Sequence, residues 1–232
     1  MAGLRATAPA ELRPSLVEEA YDALKSAIRN NIFAPGYQGS EHEIAQQLGI
    51  SRTPVHEAII RLQEEGLVRV LPRRGVVVTA LSVADMREIY DVILAVEAAA
   101  AERTAGLPEA ERRDAAAMLA SLNDGMAKAL AADDLPGWAE ADGQFHRALV
   151  ASSGNARLLR IFRTVMDQSH RARMLTVRLR PKPVQSVQEH AAIIAAIAAG
   201  EAAGAFQQAR QHRGRARDQI LPLLQGLGMQ HL

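Results

Sequence analysis

Residues 51–58 read Ser51-Arg52-Thr53-Pro54-Val55-His56-Glu57-Ala58, between Ile44-Ala45-Gln46-Gln47-Leu48-Gly49-Ile50 and Leu62-Gln63-Glu64-Glu65-Gly66-Leu67-Val68. Ser51 stands where a helix takes its N-cap, Pro54 suits a first turn, and Val55, Ala58, Ile59 and Leu62 return at helical spacing. The pattern predicts a helix to about residue 65. Upstream, Ser40 caps a short helix over 41–48 that Gly49 ends. Before it, Ser15 and Glu18 have the spacing of a capping box for a helix over about 15–30, striped by Leu16, Ala20, Leu24, Ala27 and Ile28. Downstream, Leu67-Val68-Arg69-Val70-Leu71 and Val76-Val77-Val78-Thr79 flank the basic turn Pro72-Arg73-Arg74-Gly75, which reads as a hairpin.

Helix, short helix, tight turn, capped helix and two-stranded ribbon is the order of a winged helix-turn-helix. The first turns of a helix in the major groove face base edges. There Ser51, Arg52 and Thr53 offer a hydroxyl, a bidentate guanine reader and a second hydroxyl. Arg73 and Arg74 put two cations at the ribbon tip, and Gly75 lets a backbone come close, as a wing over phosphates needs. The same helix also reads as an ordinary amphipathic core helix, and both readings can hold at once.

The 232-residue chain is 48% hydrophobic and 23% charged, with 27 Lys+Arg against 26 Asp+Glu, which excludes a disordered or collagen-like chain. Net charge is +1, so the case for DNA rests on local chemistry alone. With no cysteine, a metal would have to be held by His, Asp or Glu, and a cytoplasmic location is expected. No secretory leader and no apolar run of about 18 residues is present, so no membrane association is expected. After Ser82 the pattern is helical throughout, with breaks at Gly106-Leu107-Pro108, 133–137, Ser153-Gly154-Asn155, 180–183 and Gly200. The expected fold is mainly α: a flexible arm over 1–14, a winged helix-turn-helix over 15–80, an all-α six-helix bundle over 81–225, and a tail over 226–232. The bundle helices are expected at about 82–105, 108–131, 135–152, 155–179, 184–199 and 201–222.

The 44–68 segment, continued by Arg74-Gly75 and by Leu81-Ser82 opening a helix with Asp85 and Glu97, resembles the GntR family of transcription regulators and, within it, the FadR subfamily. Six bundle helices are closer to the VanR-like branch. The resemblance implies that Arg52 and Thr53 contact DNA. It also marks two departures, since relatives often carry arginine where this chain has His42 and His56. A neutral imidazole cannot make a bidentate guanidinium contact, so either the operator differs from the family's common one or binding weakens at high pH.

Asp142 and His146 stand four apart, which puts carboxylate and imidazole on one helix face. Taken singly, His146, His190 and His212 read as ordinary surface or core histidines. Asp142-x-x-x-His146, Ser153-Gly154-Asn155 with Leu158, Glu189-His190 with Ile193-Ile194, and Gly200-Glu201 leading to His212 resemble the FCD ligand-binding domain. That resemblance implies one divalent metal per subunit on Asp142, His146, His190 and His212, zinc first with nickel or manganese as alternatives. It implies as well a small effector, commonly a carboxylate, and a homodimer on a two-fold operator, usually repressing until the effector releases it.

One departure bears on the effector. Relatives often carry an arginine four residues before Glu97, where this chain has Ile93. Tyr90 and Glu97 share that helix face, so Tyr90, Ile93 and Glu97 are pocket candidates. Between 155 and 182, eight basic residues accompany one acid, Asp167. The run reads as a solvated face, a phosphate-facing surface or an anionic pocket lining, and Arg173 is the first candidate for the last. Two other functions compete: a metal-dependent hydrolytic enzyme built on the Asp/His cluster, and a constitutive DNA-binding protein with a purely structural metal.

Overall fold

A computed structural model describes residues 15–228; the expected arm 1–14 and residues 229–232 of the expected tail, with His231, lie outside the described residues. The order is α1 (Leu16–Arg29), β1 (Gln38–Gly39), α2 (Glu41–Leu48), α3 (Arg52–Glu64), β2 (Val68–Leu71), β3 (Gly75–Val78), α4 (Val83–Ala105), α5 (Glu109–Ala131), α6 (Leu135–Ser152), α7 (Ala156–Thr176), α8 (Val184–Ala199) and α9 (Ala202–Gly226).

The first three helices close over one core of Leu24, Ile28, Phe33, Ile44, Val55, Ile59, Leu62 and Val76, each about fully buried. Ser40 and Glu43 form the reciprocal capping box that starts α2. The box expected at Ser15 is half made. Its hydroxyl accepts from the Glu18 backbone N–H, but the Glu18 carboxylate turns away to Arg61 at 2.7 Å. An ion pair across the surface has displaced the local cap.

The expected two-stranded ribbon is a three-stranded antiparallel sheet in the order β1-β3-β2. Gln38 and Gly39 pair with Val77 and Val76, a contact their own side chains do not announce. Gly75 also serves differently from expectation. It adopts φ +84°, and a Cβ there would lie 2.5 Å from the Gly39 carbonyl oxygen. Its bare Cα lets β1 approach β3, a role in the sheet that the sequence did not indicate.

The remaining six helices pack as a bundle, with α4 and α9 lying against each other along its length. Two apolar clusters fill it. Leu119, Met126, Trp138, Phe145, Leu149, Ile193 and Ile197 form one, and Met86, Tyr90, Ile93, Phe162, Ile220 and Leu224 the other. α7 stops at Thr176 and tightens into a 3-10 turn over Val177–Leu179. α9 runs past Pro222, its expected end, to Gly226, and Leu224 in this added stretch is buried like Ile220 and Leu221 before it.

α7 also joins the two halves. Asp167 lies 3.0 Å from Lys25 and 3.0 Å from Arg29 of α1, and Arg29 reaches Glu140 of α6 at 3.3 Å. Fully buried Arg171 donates to the Thr79 carbonyl at 2.5 Å, while its own carbonyl accepts from Asn31 at 3.2 Å. No helix among the described residues is long and apolar enough to cross a membrane.

Candidate metal centre and nucleic-acid interface

Between the two apolar clusters the bundle buries charge. α6 supplies Asp142 and His146 one turn apart, α8 supplies His190, and α9 supplies His212. Each of these four buried residues offers a ligand atom, all within 4.8 Å of one another. The three Nε2 atoms converge: His212 lies 3.1 Å from His190 and 3.3 Å from His146. Asp142 completes the ring, with Oδ2 3.6 Å from His146 Nε2 and Oδ1 3.8 Å from His190 Nε2.

The outer faces of two rings show what the inner faces carry. His212 Nδ1 is 2.7 Å from Glu189, and His146 Nδ1 is 2.9 Å from Glu97. A carboxylate facing Nδ1 favours a proton on that nitrogen, a tautomer that leaves the inward Nε2 able to offer a lone pair. Glu97 is gripped by Arg213 through two hydrogen bonds of 2.8 and 2.6 Å, and Glu189 by Arg215 through two more. Arg215–Glu189–His212 is thus a hydrogen-bonded chain behind one ring, while behind the other the Arg213-bound Glu97 lies within ion-pair distance of His146. His190 is fixed by stacking on Phe145, with ring centroids 3.8 Å apart.

Burial, reinforced by the neighbouring imidazoles, pushes His190 well below the ordinary histidine range. Burial also takes His212 down to about 4 despite its bond to Glu189. Burial would raise the Asp142 carboxyl, but Arg173 at 2.9 Å and the histidines outweigh it and hold it well below the usual range. In the same way Arg213 and His146 overcome the burial of Glu97 and hold it at about 2. In that tautomer the His146 and His212 Nε2 atoms, 3.3 Å apart, present lone pairs that repel each other. A divalent cation removes that repulsion, and metal–nitrogen bonds of about 2.0–2.1 Å would set nitrogens roughly 3.0–3.4 Å apart. The residues fit the group.

The expected pocket residues divide. Arg173 sits on Asp142, but Glu97 is committed to Arg213 and His146, and Tyr90 and Ile93 are buried in the apolar cluster. Beside this cluster lies a cleft of about 20 Å³, lined among others by Trp138, Asp142, Arg173, Arg180, His212 and Arg213. Tyr90, Ile93 and Glu97 are not among its lining residues. Arg213 and Arg215 were not singled out by the sequence, and Glu189 stood there only as part of a motif, with no role of its own. Their signal was adjacency, since Glu189 precedes His190 and Arg213 follows His212.

At the other end of the molecule Ser51, Arg52, Thr53, His56 and His42 are all exposed, and so are Arg73 and Arg74. Ser51 holds the N-cap position but makes no side-chain cap bond, which leaves its hydroxyl free for a partner. Glu41, which the sequence did not flag, bridges the reading head: its carboxylate is 2.8 Å from His56 Nδ1 and 3.4 Å from Arg52 Nε. The hydrogen bond from His56 and the nearby Arg52 lower the Glu41 carboxyl despite partial burial.

Residues 16–78 match the family of bacterial regulatory proteins known as gntR, and residues 88–215 match the FCD domain. The chain belongs to the GntR family and carries an FCD domain. Over 135 residues (58% of this chain and 79% of the relative) it is 54% identical to an HTH-type transcriptional regulator in the TAR-I ttuE-ttuC' intergenic region of Agrobacterium vitis. It is 35% identical over 103 residues, 44% of this chain and 45% of the relative, to the HTH-type transcriptional repressor RspR of Escherichia coli. A GntR regulator from Rhodococcus sp. RHA1, solved by crystallography, superposes with a TM-score of 0.75 at 27% identity, covering 90% of this chain and 99% of that one. The chain is thus a DNA-binding transcription regulator and not an enzyme, and the hydrolytic alternative falls away.

Proposed function

We propose that this GntR regulator is a metal-containing, ligand-responsive repressor that acts in the cytoplasm as a homodimer on a two-fold operator and is released by a small organic acid. The observation that carries the metal is the convergence of three imidazole Nε2 atoms and the Asp142 carboxylate, two of the rings being oriented from behind by Arg-clamped carboxylates. Asp142, His146, His190 and His212 would hold zinc, or nickel or manganese, which when bound supplies a Lewis-acid position for an effector oxygen. Repression is supported by the name of the relative RspR.

Arg173 and Arg180, both from the 155–182 basic run, line the cleft beside Asp142. They offer the cation that relatives take from the position of Ile93, so a carboxylate effector would find its partner on α7 instead of α4. The cleft now has room for roughly one water, so such an effector must displace side chains to enter. An effector that binds only the opened arrangement shifts the dimer between geometries, whereas one that binds both equally shifts nothing. The small cleft also favours a second reading, a purely structural metal in a constitutive DNA binder.

A thermal-shift screen of small organic acids separates the two. A stabilising acid whose effect vanishes on chelation supports the effector reading. No shift with any acid, together with a large destabilisation on chelation, supports the structural one.

A further inference from the structure

A groove of about 710 Å³ separates the GntR and FCD domains, where α1 and the end of α3 face α6 and α7. Small-molecule sites are commonly about 300–1,000 Å³. The groove is remote from the base-reading residues, because it meets α3 at Glu64 and the length of that helix, roughly 18 Å, separates Glu64 from Arg52. Within it, Lys25 and Arg29 hold Asp167 at 3.0 Å each, and Lys25 holds Glu65 at 2.7 Å.

The FCD wall is different. Arg147, Arg160 and Arg163 line it, and among the described residues none of the three has a carboxylate within ion-pair distance. Surface arginines usually find water or a passing acid. Three unpaired ones on one concave wall make a positive field that a compact multivalent anion neutralises best. Phosphate matches guanidinium forks two oxygens at a time. On the opposite wall Asp22 and Glu64 likewise have no basic partner, and they would repel a second anionic end but accept hydrogen bonds from hydroxyls. Tyr21, Leu67 and Met166 add apolar surface between the walls.

We propose that this groove is a second ligand site, separate from the metal cluster, which takes a phosphorylated polyol or sugar: phosphate on Arg147, Arg160 and Arg163, hydroxyls on Asp22 and Glu64. Its occupant would bridge the two walls beside the Lys25–Asp167 and Arg29–Asp167 ion pairs that tie α1 to α7, and so would act on the joint between the two domains.

The test is a calorimetric titration of ribose 5-phosphate into the full-length, metal-loaded protein, with ribose as control. Saturable binding of the phosphate but not of ribose, weakened at least tenfold in Arg160→Ala/Arg163→Ala, is the expected result. Both arginines are exposed, so the double variant should keep the wild-type melting curve. No saturation by about 10 mM, equal binding of ribose, or undiminished affinity in a folded double variant would overturn the proposal.

Discussion

Glu41 lies within ion-pair distance of Arg52 and His56, so the side chains proposed to enter the groove are partly ordered before DNA arrives. Arg52 is 70% exposed and its fork is free to turn outward. Arg52→Ala should weaken operator binding by about 1–3 kcal/mol while leaving random-sequence binding nearly unchanged. Arg73→Ala should instead flatten the salt dependence by about one unit of slope. Fluorescence anisotropy on operator and random duplexes checks both, and equal loss on the two duplexes for Arg52→Ala would refute base reading. A second residue-scale consequence concerns His170, buried against Gly143 with neither ring nitrogen partnered. Burial first, then Arg173 and Arg29, takes it down to about 3. Because its folded value is lowered, the unfolded chain binds the proton first, so its contribution is complete above about 6.5 and drains away as pH falls toward 3. The melting temperature should therefore drop between pH 7 and 5 by more in the wild type than in His170→Gln. Identical drops would remove this residue from the acid response.

α7 is the element on which the parts meet. Within seven residues it presents Asp167 to α1, Arg171 to the Thr79 carbonyl and Arg173 to Asp142. Asp167→Asn should keep the hydrogen-bonding shape but lose both ion pairs. Amide exchange over 16–29 is then expected to quicken severalfold while α5 is unchanged, by hydrogen–deuterium mass spectrometry; unchanged exchange in α1 would show that the latch carries no stability. This role was hidden in the sequence, where 155–182 showed only a basic run with one acid. The helices themselves were legible because their caps and 3.6-residue stripes are local. What escaped were non-local events: β1, whose Gln38 and Gly39 gain strand character only by pairing with β3, and the Ser15 box, lost to an ion pair across the domain. Of the metal cluster, only Asp142 and His146 stood at a helical spacing. His190 and His212 join them through bundle packing, and of the carboxylates and arginines behind them only Glu189 and Arg213 carried a signal, their adjacency to His190 and His212.

At the scale of the molecule, a GntR domain and an FCD domain share a polar joint beside a buried cluster of charge. The winged helix is built to touch DNA, while the bundle buries nine acidic, histidine and arginine side chains, among them Glu97, Asp142, Arg173 and Arg213. Burying so many ionisable groups is costly unless they are paired, and on the proposed reading a divalent cation held by Asp142, His146, His190 and His212 supplies the missing partner. The direct measurement is therefore metal content, by inductively coupled plasma mass spectrometry on the protein purified without added metal, for the wild type and for a folded His212→Ala. One divalent ion per chain in the wild type and less than a tenth of that in the variant is the predicted result. A metal-free wild type, or full occupancy in the variant, would contradict it.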